Sequence, residues 1–275
     1  AAFAFWSPRQ RRRIAVQMAS MSYADFVHLR VHSAYSMSEG AVHLKDLVKR
    51  TAAQHAPAVA VTDTANLFGA LEFALAAADA GVQPVIGTLL PMLEPDHRAV
   101  AYLPAYAQSV RGYENLMALI SQAFLESAVE GEARLAWEDL EGKTEDVIAF
   151  TGGADGPLGR LLLAGQTKAA ESLIDRLERL FPGRLYVELQ RHGLADQQRT
   201  EPAFLKAAYD RDLPLVATND VFFPEREQHE AHDVLVCIAE GRKLDEEDRR
   251  RLTPEHYLKP PKEMRELFAD LPEAV

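Results

Sequence analysis

The chain has 275 residues, 48% of them apolar and 26% charged, enough to bury a substantial core in one large α/β domain or two modest ones. Its net charge of −11, with a pI near 5.3, repels nucleic-acid phosphates over the surface as a whole; an acidic module can belong to a DNA enzyme without being the part that grips DNA. The single cysteine, Cys237, rules out a disulfide framework and fits a reducing cytoplasm, and no run approaches the roughly 18 apolar residues that span a bilayer.

Residues 1–22 read as a disordered or extraneous extension. The apolar run Ala1-Ala2-Phe3-Ala4-Phe5-Trp6 precedes Arg11-Arg12-Arg13, the reverse of a secretory signal, and Met18 or Met21 would make a natural start. The bland alternative is a short amphipathic helix packed on the domain. Strands are then expected at 26–31, 58–61, 83–86, 99–103, 147–150, 184–188 and 214–217. Between them, residues 44–54, 67–80, 112–126, 159–180 and 197–211 carry apolar side chains at three- and four-residue spacing and read as helices. The stretch 127–140 is less regular. Beyond the seventh strand come helices at 226–238 and 261–268, joined by the polar run 240–251, and the chain stops without a tail, like a piece of something longer.

Short apolar runs alternating with helices indicate repeated βα units and a parallel sheet, and seven strands in this length fit a TIM-like βα barrel. Functional side chains of such barrels lie at the carboxyl ends of the strands. His32, Asp63-Thr64, Thr151-Gly152-Gly153, His192 and Asn219-Asp220 fall there. The barrel is assigned to residues 23–225, and 226–275 to a helical segment that closes it and leads onward.

The stretch Phe26–Ser36 nearly makes a metal site. His28, Arg30 and His32 share one face of a strand, and two imidazoles so placed could bind one ion. Arg30 cannot, because a guanidinium stays protonated and has no lone pair. His28 reads better as a hydrogen-bonded barrel histidine, and His43, His55 and His97 have no partners at ligand spacing. His229 and His232 read as the polar face of a linker helix, and Arg249-Arg250-Arg251 after Asp245-Glu246-Glu247-Asp248 as a solvated turn. Gly152-Gly153-Ala154-Asp155-Gly156 lacks the Lys-Ser/Thr of a phosphate loop and reads as a tight βα turn. No Ser/His/Asp signature is present.

Several segments in order resemble the N-terminal polymerase and histidinol phosphatase (PHP) domain of bacterial DNA polymerase III alpha subunits. They are Phe26–Ser36 with Glu39-Gly40, Val61-Thr62-Asp63-Thr64-Ala65-Asn66-Leu67, Val85-Ile86-Gly87, Gly112-Tyr113-Glu114-Asn115-Leu116, Glu188-Leu189-Gln190-Arg191-His192-Gly193 and Val216-Ala217-Thr218-Asn219-Asp220-Val221. Ala231-His232-Asp233-Val234-Leu235 with Leu244-Asp245, and Leu267-Phe268-Ala269-Asp270-Leu271-Pro272, extend the likeness to the end of the chain. The resemblance implies a distorted seven-stranded barrel, the PHP fold. In active members nine ligands hold three metal ions for phosphoester hydrolysis. Carried over residue by residue, His32, Glu39, His192 and Asp220 match ligand positions, whereas Arg30, Thr64, Leu89, Gly153 and Phe222 stand where ligands are lost.

The resemblance therefore implies a metal-free, non-catalytic domain, with Arg30 paired to Glu39 or Asp220 where ions would sit. It implies no cofactor here, Mg²⁺ for a polymerase core lying outside this chain, and no catalytic residue within it. Implied partners are the proofreading exonuclease (epsilon) subunit, the rest of the alpha subunit and its holoenzyme, and DNA through the parent protein; the location is cytoplasmic and no membrane is involved. Two alternatives stay open: an active metal-dependent phosphoesterase or exonuclease, and the same domain of an error-prone polymerase paralogue.

Overall fold

The computed structural model describes residues 23–94, 99–126 and 132–275. The expectations for residues 1–22, for His97 and for the start of the irregular 127–140 stretch lie outside them.

Six strands form one curled sheet in chain order: β1 (Ala58–Thr64), β2 (Gln83–Leu93), β3 (Val100–Ala107), β4 (Val147–Phe150), β5 (Leu185–Leu189) and β6 (Leu215–Ala217). The expectation of an all-parallel sheet is corrected at β3, which runs antiparallel to both β2 and β4, while β1–β2, β4–β5 and β5–β6 are parallel. The cause is the connection: residues 94–99 are too few for a crossover helix, so β2 returns as a hairpin with Leu93 opposite Val100.

The stretch expected as the first strand is extended but not a regular ladder. It bridges the two edges of the curl. On one side Ala60 N–H donates to the His28 carbonyl at 2.8 Å and Thr62 N–H to that of Val31 at 2.9 Å. On the other, Val221 N–H donates to the Arg30 carbonyl at 3.0 Å and His32 N–H to that of Val221 at 2.8 Å. The ladder is broken because Val31 N–H donates to the Thr62 hydroxyl, 3.0 Å away, instead of a carbonyl.

Helices α1 (Leu44–Ala53), α2 (Ala70–Ala80), α3 (Val110–Leu125), α4 (Pro157–Leu163), α5 (Thr167–Leu180) and α6 (Ala195–Arg211) cover the sheet. Each buries one stripe. In α5 the stripe is Ala170, Leu173, Ile174 and Leu177, which joins Leu90, Leu103, Leu116, Leu185 and Phe204 in the larger core. A second cluster around Leu47, Val59, Phe73 and Val221 seats α1 and α2 on the first two strands. The single helix expected over 159–180 is two, because Gly165 takes φ +69° and Gly at a helix C-terminus terminates α4.

Helices α7 (His229–Glu240) and α8 (Pro261–Leu267) follow, and the chain between them packs back on the barrel. Phe222 N–H donates to the His256 carbonyl at 2.9 Å, and Leu258 N–H to that of Phe223 at 3.2 Å. Arg191, just beyond β5, clamps the end of the chain through Glu201 and Asp270, both at 2.6 Å.

Two polar assignments change with this packing. His232 is buried rather than on a solvated face, donating to the Glu39 carbonyl at 2.5 Å. Arg249 is not in a solvated turn either: its side chain is 4% exposed and forks onto Asp233 at 2.5 and 2.7 Å.

Gly40 shows how tightly the loop after residue 33 is drawn in. A Cβ there would lie 2.2 Å from the Ser33 carbonyl oxygen and 2.7 Å from that of His32, both backbone atoms. Gly40→Ala is therefore expected to destabilise the fold by about 2 kcal/mol or more. An unchanged denaturant midpoint would show that the loop yields freely.

Candidate functional site at the barrel mouth

The polar residues expected at the carboxyl ends of the strands do converge, around Arg30. Its side chain is 7% exposed, and Nη1 lies 3.1 Å from Oε2 of a fully enclosed Glu188. Nε lies 2.7 Å from Asp220 Oδ1, an ion pair too bent to count as a hydrogen bond. The pairing expected with Asp220 is thus present and that with Glu39 is not. Glu39 instead accepts from the Thr64 hydroxyl at 2.6 Å and from Arg250 at 3.2 Å, because Glu188 occupies the other side of Arg30.

Asp220 is held in the left-handed region at φ +45°, a conformation a short polar side chain tolerates at modest strain. Burial alone would raise its carboxyl, but the charge of Arg30 and a hydrogen bond from His32 overcome this and hold it well below the usual carboxylate range. Burial pushes against the Arg30 charge as well. Asp220 and then Glu188 outweigh it, so the guanidinium stays protonated at every accessible pH.

The two retained histidines are already spoken for. His32 Nε2 donates to Asp220 Oδ1 at 2.9 Å, and its ring stacks on Phe222 with centroids 4.0 Å apart. His192 Nε2 donates to the Asn219 carbonyl, which leaves Nδ1 as the acceptor of the Gln197 amide at 2.7 Å. Both of its nitrogens are therefore used, and burial lowers its pKa to about 4, keeping the ring neutral. His256 stacks on it at 3.8 Å.

The remaining lost positions are closed by packing. Leu89 is buried in β2. Phe222 is covered by His32 on one face, with the Arg250 guanidinium 5.4 Å from its ring centre. A Cβ on Gly153, at φ +64°, would meet Gln190 Oε1 at 2.7 Å, and that same Gln190 donates to Glu188 at 3.2 Å.

Sequence reasoning missed Glu188, Gln190, Gln197, Arg250 and His256 as parts of the mouth. Glu188 alone left a signal, as the one charge in the otherwise apolar strand Leu185–Leu189. His28 behaves as expected, donating from Nε2 to the Lys259 carbonyl at 2.7 Å.

A multinuclear centre needs bridging carboxylates and imidazole lone pairs aimed at common points. These residues do not fit one. The carboxylates are bridged by a guanidinium and His192 has no free lone pair. Among the described residues no three His, Cys, Asp or Glu side chains form a group able to hold an ion.

Fold and site together define the class: a βα barrel whose strand-end loops gather histidines and carboxylates around a buried guanidinium. The chain belongs to the PHP domain family, whose model matches residues 28–192. It is 48% identical over 263 residues to the DNA polymerase III subunit alpha of Caulobacter vibrioides, covering 94% of this chain and 23% of that protein. To the DNA polymerase III subunit alpha of Pseudomonas aeruginosa it is 38% identical over 253 residues, covering 91% and 22%. The chain thus spans less than a quarter of the length of the relatives it matches. A solved amidohydrolase structure from Chromobacterium violaceum overlays with a TM-score of 0.48 at 17% identity, over 71% of this chain and 87% of that one. No helix among the described residues is long and apolar enough to cross a membrane.

His28 supplies a test of this buried mouth. Burial lowers its pKa from 6.5 to about 4, so the unfolded chain binds its proton first. The stability it supports is complete above pH 6.5 and is lost as pH falls towards 4, by about 3 kcal/mol at most. His28→Gln should flatten the stability–pH slope in that window; identical slopes in both proteins would contradict the assignment.

Proposed function

We propose that this chain is the non-catalytic PHP domain of a replicative DNA polymerase III alpha subunit, a cytoplasmic DNA polymerase. In that reading it is a scaffold within the polymerase and the docking site of the proofreading exonuclease subunit. The observation that carries the non-catalytic part is the Arg30 guanidinium lying 3.1 Å from Glu188 and 2.7 Å from Asp220. A fixed positive charge there opposes a divalent ion by several kcal/mol at a few ångströms, even at intermediate dielectric. The names of the relatives and the coverage of at least 91% of this chain support the polymerase setting.

Nucleotidyl transfer in the parent protein would use Mg²⁺ and carboxylates outside these residues, and DNA would be gripped elsewhere, consistent with a net charge of −11 here. A domain without hydrolytic chemistry of its own gives editing a reason to reside in a partner. That is the logic of the docking role.

Removing Arg30 should be worse than replacing the whole cluster. Arg30→Ala strands two carboxylates in the barrel and should cost about 3–5 kcal/mol. Zinc should leave the wild-type Tm unchanged, whereas Arg30→His combined with Thr64→His and Phe222→His should gain measurable zinc affinity. Metal analysis of the purified protein, alongside melts with and without zinc, decides between the readings. A wild-type protein that retains stoichiometric metal, is strongly stabilised by it and turns over a phosphoester would replace the scaffold with a working hydrolase.

A further inference from the structure

A groove of about 820 Å³ lies on the outside of the barrel, lined by none of the mouth residues described above. Its apolar lining includes Leu93 at the end of β2, Trp137 in the short helical turn Trp137–Leu140, and Leu161 and Leu173 from α4 and α5. Arg160, Arg176 and Arg179 line it as well. Glu94 and Glu138 line it too, so the lining carries three guanidiniums against two carboxylates, a small positive excess on a chain with a net charge of −11.

Two of the three are held only loosely. Arg160 pairs with Glu94 at 2.7 Å and Arg176 with Glu138 at 2.6 Å, all four side chains being at least a quarter exposed or nearly so. Pairs of that kind are worth about 1 kcal/mol or less, so an incoming carboxylate can take over either guanidinium with little loss. Arg179 has no ion pair among the described residues and donates only to the Asp175 carbonyl at 3.3 Å. An apolar floor with a basic rim is the complement of an amphipathic segment bearing carboxylates. A phosphate backbone fits it less well, since much of the lining is apolar.

We propose that this groove receives an acidic amphipathic segment of the exonuclease subunit, with apolar side chains on the Trp137–Leu173 floor and carboxylates on Arg176 and Arg179. This rests on the docking reading above and adds the surface and the chemistry of the contact. Recognition of this type is set by helix spacing: Ala169, Leu173 and Arg176 lie on one side of α5, at i, i+4 and i+7.

The test uses the full-length polypeptide and the purified exonuclease subunit, with affinity measured at low and high salt. Arg176→Glu combined with Arg179→Glu should weaken binding about tenfold or more, with the wild-type affinity falling as salt rises. In the wild-type complex, amide exchange should slow across residues 167–180. Should the double variant melt early, Arg179→Glu alone serves, since it breaks no ion pair. Wild-type binding that is equally strong in the charge-reversed protein overturns the groove and leaves the docking reading standing. No wild-type binding overturns both. Displacement of the exonuclease subunit from wild type by a single-stranded oligonucleotide, with the same arginines required, overturns the groove as a peptide site and makes it a nucleic-acid track. A concentration-dependent dimer of the chain that hides α5 overturns it likewise.

Discussion

Arg30 brings a charge that cannot be titrated away into a space where Glu188 is fully enclosed and the Asp220 side chain is only 14% exposed. Neither carboxylate could remain there without a counter-charge, because the desolvation of an unpaired ion in a barrel interior runs to several kcal/mol. The planar guanidinium reaches both, with Nη1 on one and Nε on the other, in directions a lysine ammonium could not serve together. What it leaves unmet is supplied locally. Glu188 also accepts from the Thr218 hydroxyl and the Gln190 amide, and Asp220 from His32. The mouth is a closed hydrogen-bonded unit in which one cation is an integral side chain.

The histidines around it follow from the same constraint. Burial lowers His192 to about 4, and His256 and His232 are depressed by burial too. Neutral rings can stack, and His192 does so on His256; the His32 ring stacks on Phe222. This also ties the chain beyond the barrel to the mouth. Asn219 donates to the Glu255 and Tyr257 carbonyls at 3.0 and 2.6 Å, and Thr253 to that of His192 at 3.2 Å. Residues 253–259 are therefore fastened by the same strand-end loops that carry His192 and Asn219, so the mouth also anchors the connector mechanically.

The barrel was legible in the alternation of apolar runs with amphipathic helices, and the contradiction at the mouth in single side chains: Arg30 has no lone pair, Phe222 no donor atom, Gly153 no side chain. What could not be read was pairing across long separations. Glu188 meets Arg30 over 158 residues of chain, and no local pattern marks which of the chain's acids fills that place. Arg250 and His256 arrive from a polar connector whose composition looks like solvent-exposed loop, and only the packing of that connector on Phe222 and His192 reveals them. The antiparallel turn of β3 could not be read, since strands expected at 83–86 and 99–103 leave twelve residues between them, and only the extension of β2 to Leu93 shortens the connection to six. The break at Gly165 was within reach, since glycine inside a helical run is a common stop signal.

The positions at which the resemblance implies lost ligands are not independent of one another. Gly152 and Gly153 sit at φ +90° and +64°, and Gly152 offers its carbonyl to Arg30 Nη1 at 3.4 Å. A ligand side chain at 153 would need that left-handed backbone to accept a Cβ and would push Gln190 aside, taking a donor from Glu188. Glu188 would then lean harder on Arg30, the residue that most opposes a metal. Restoring one ligand thus strengthens the case for keeping the guanidinium, and restoring a second at Phe222 removes the ring on which His32 is stacked. Each single substitution costs packing or hydrogen bonds of its neighbours, so the mouth is held by mutual dependence among Arg30, Glu188, Gln190, His32 and Phe222 rather than by any one side chain.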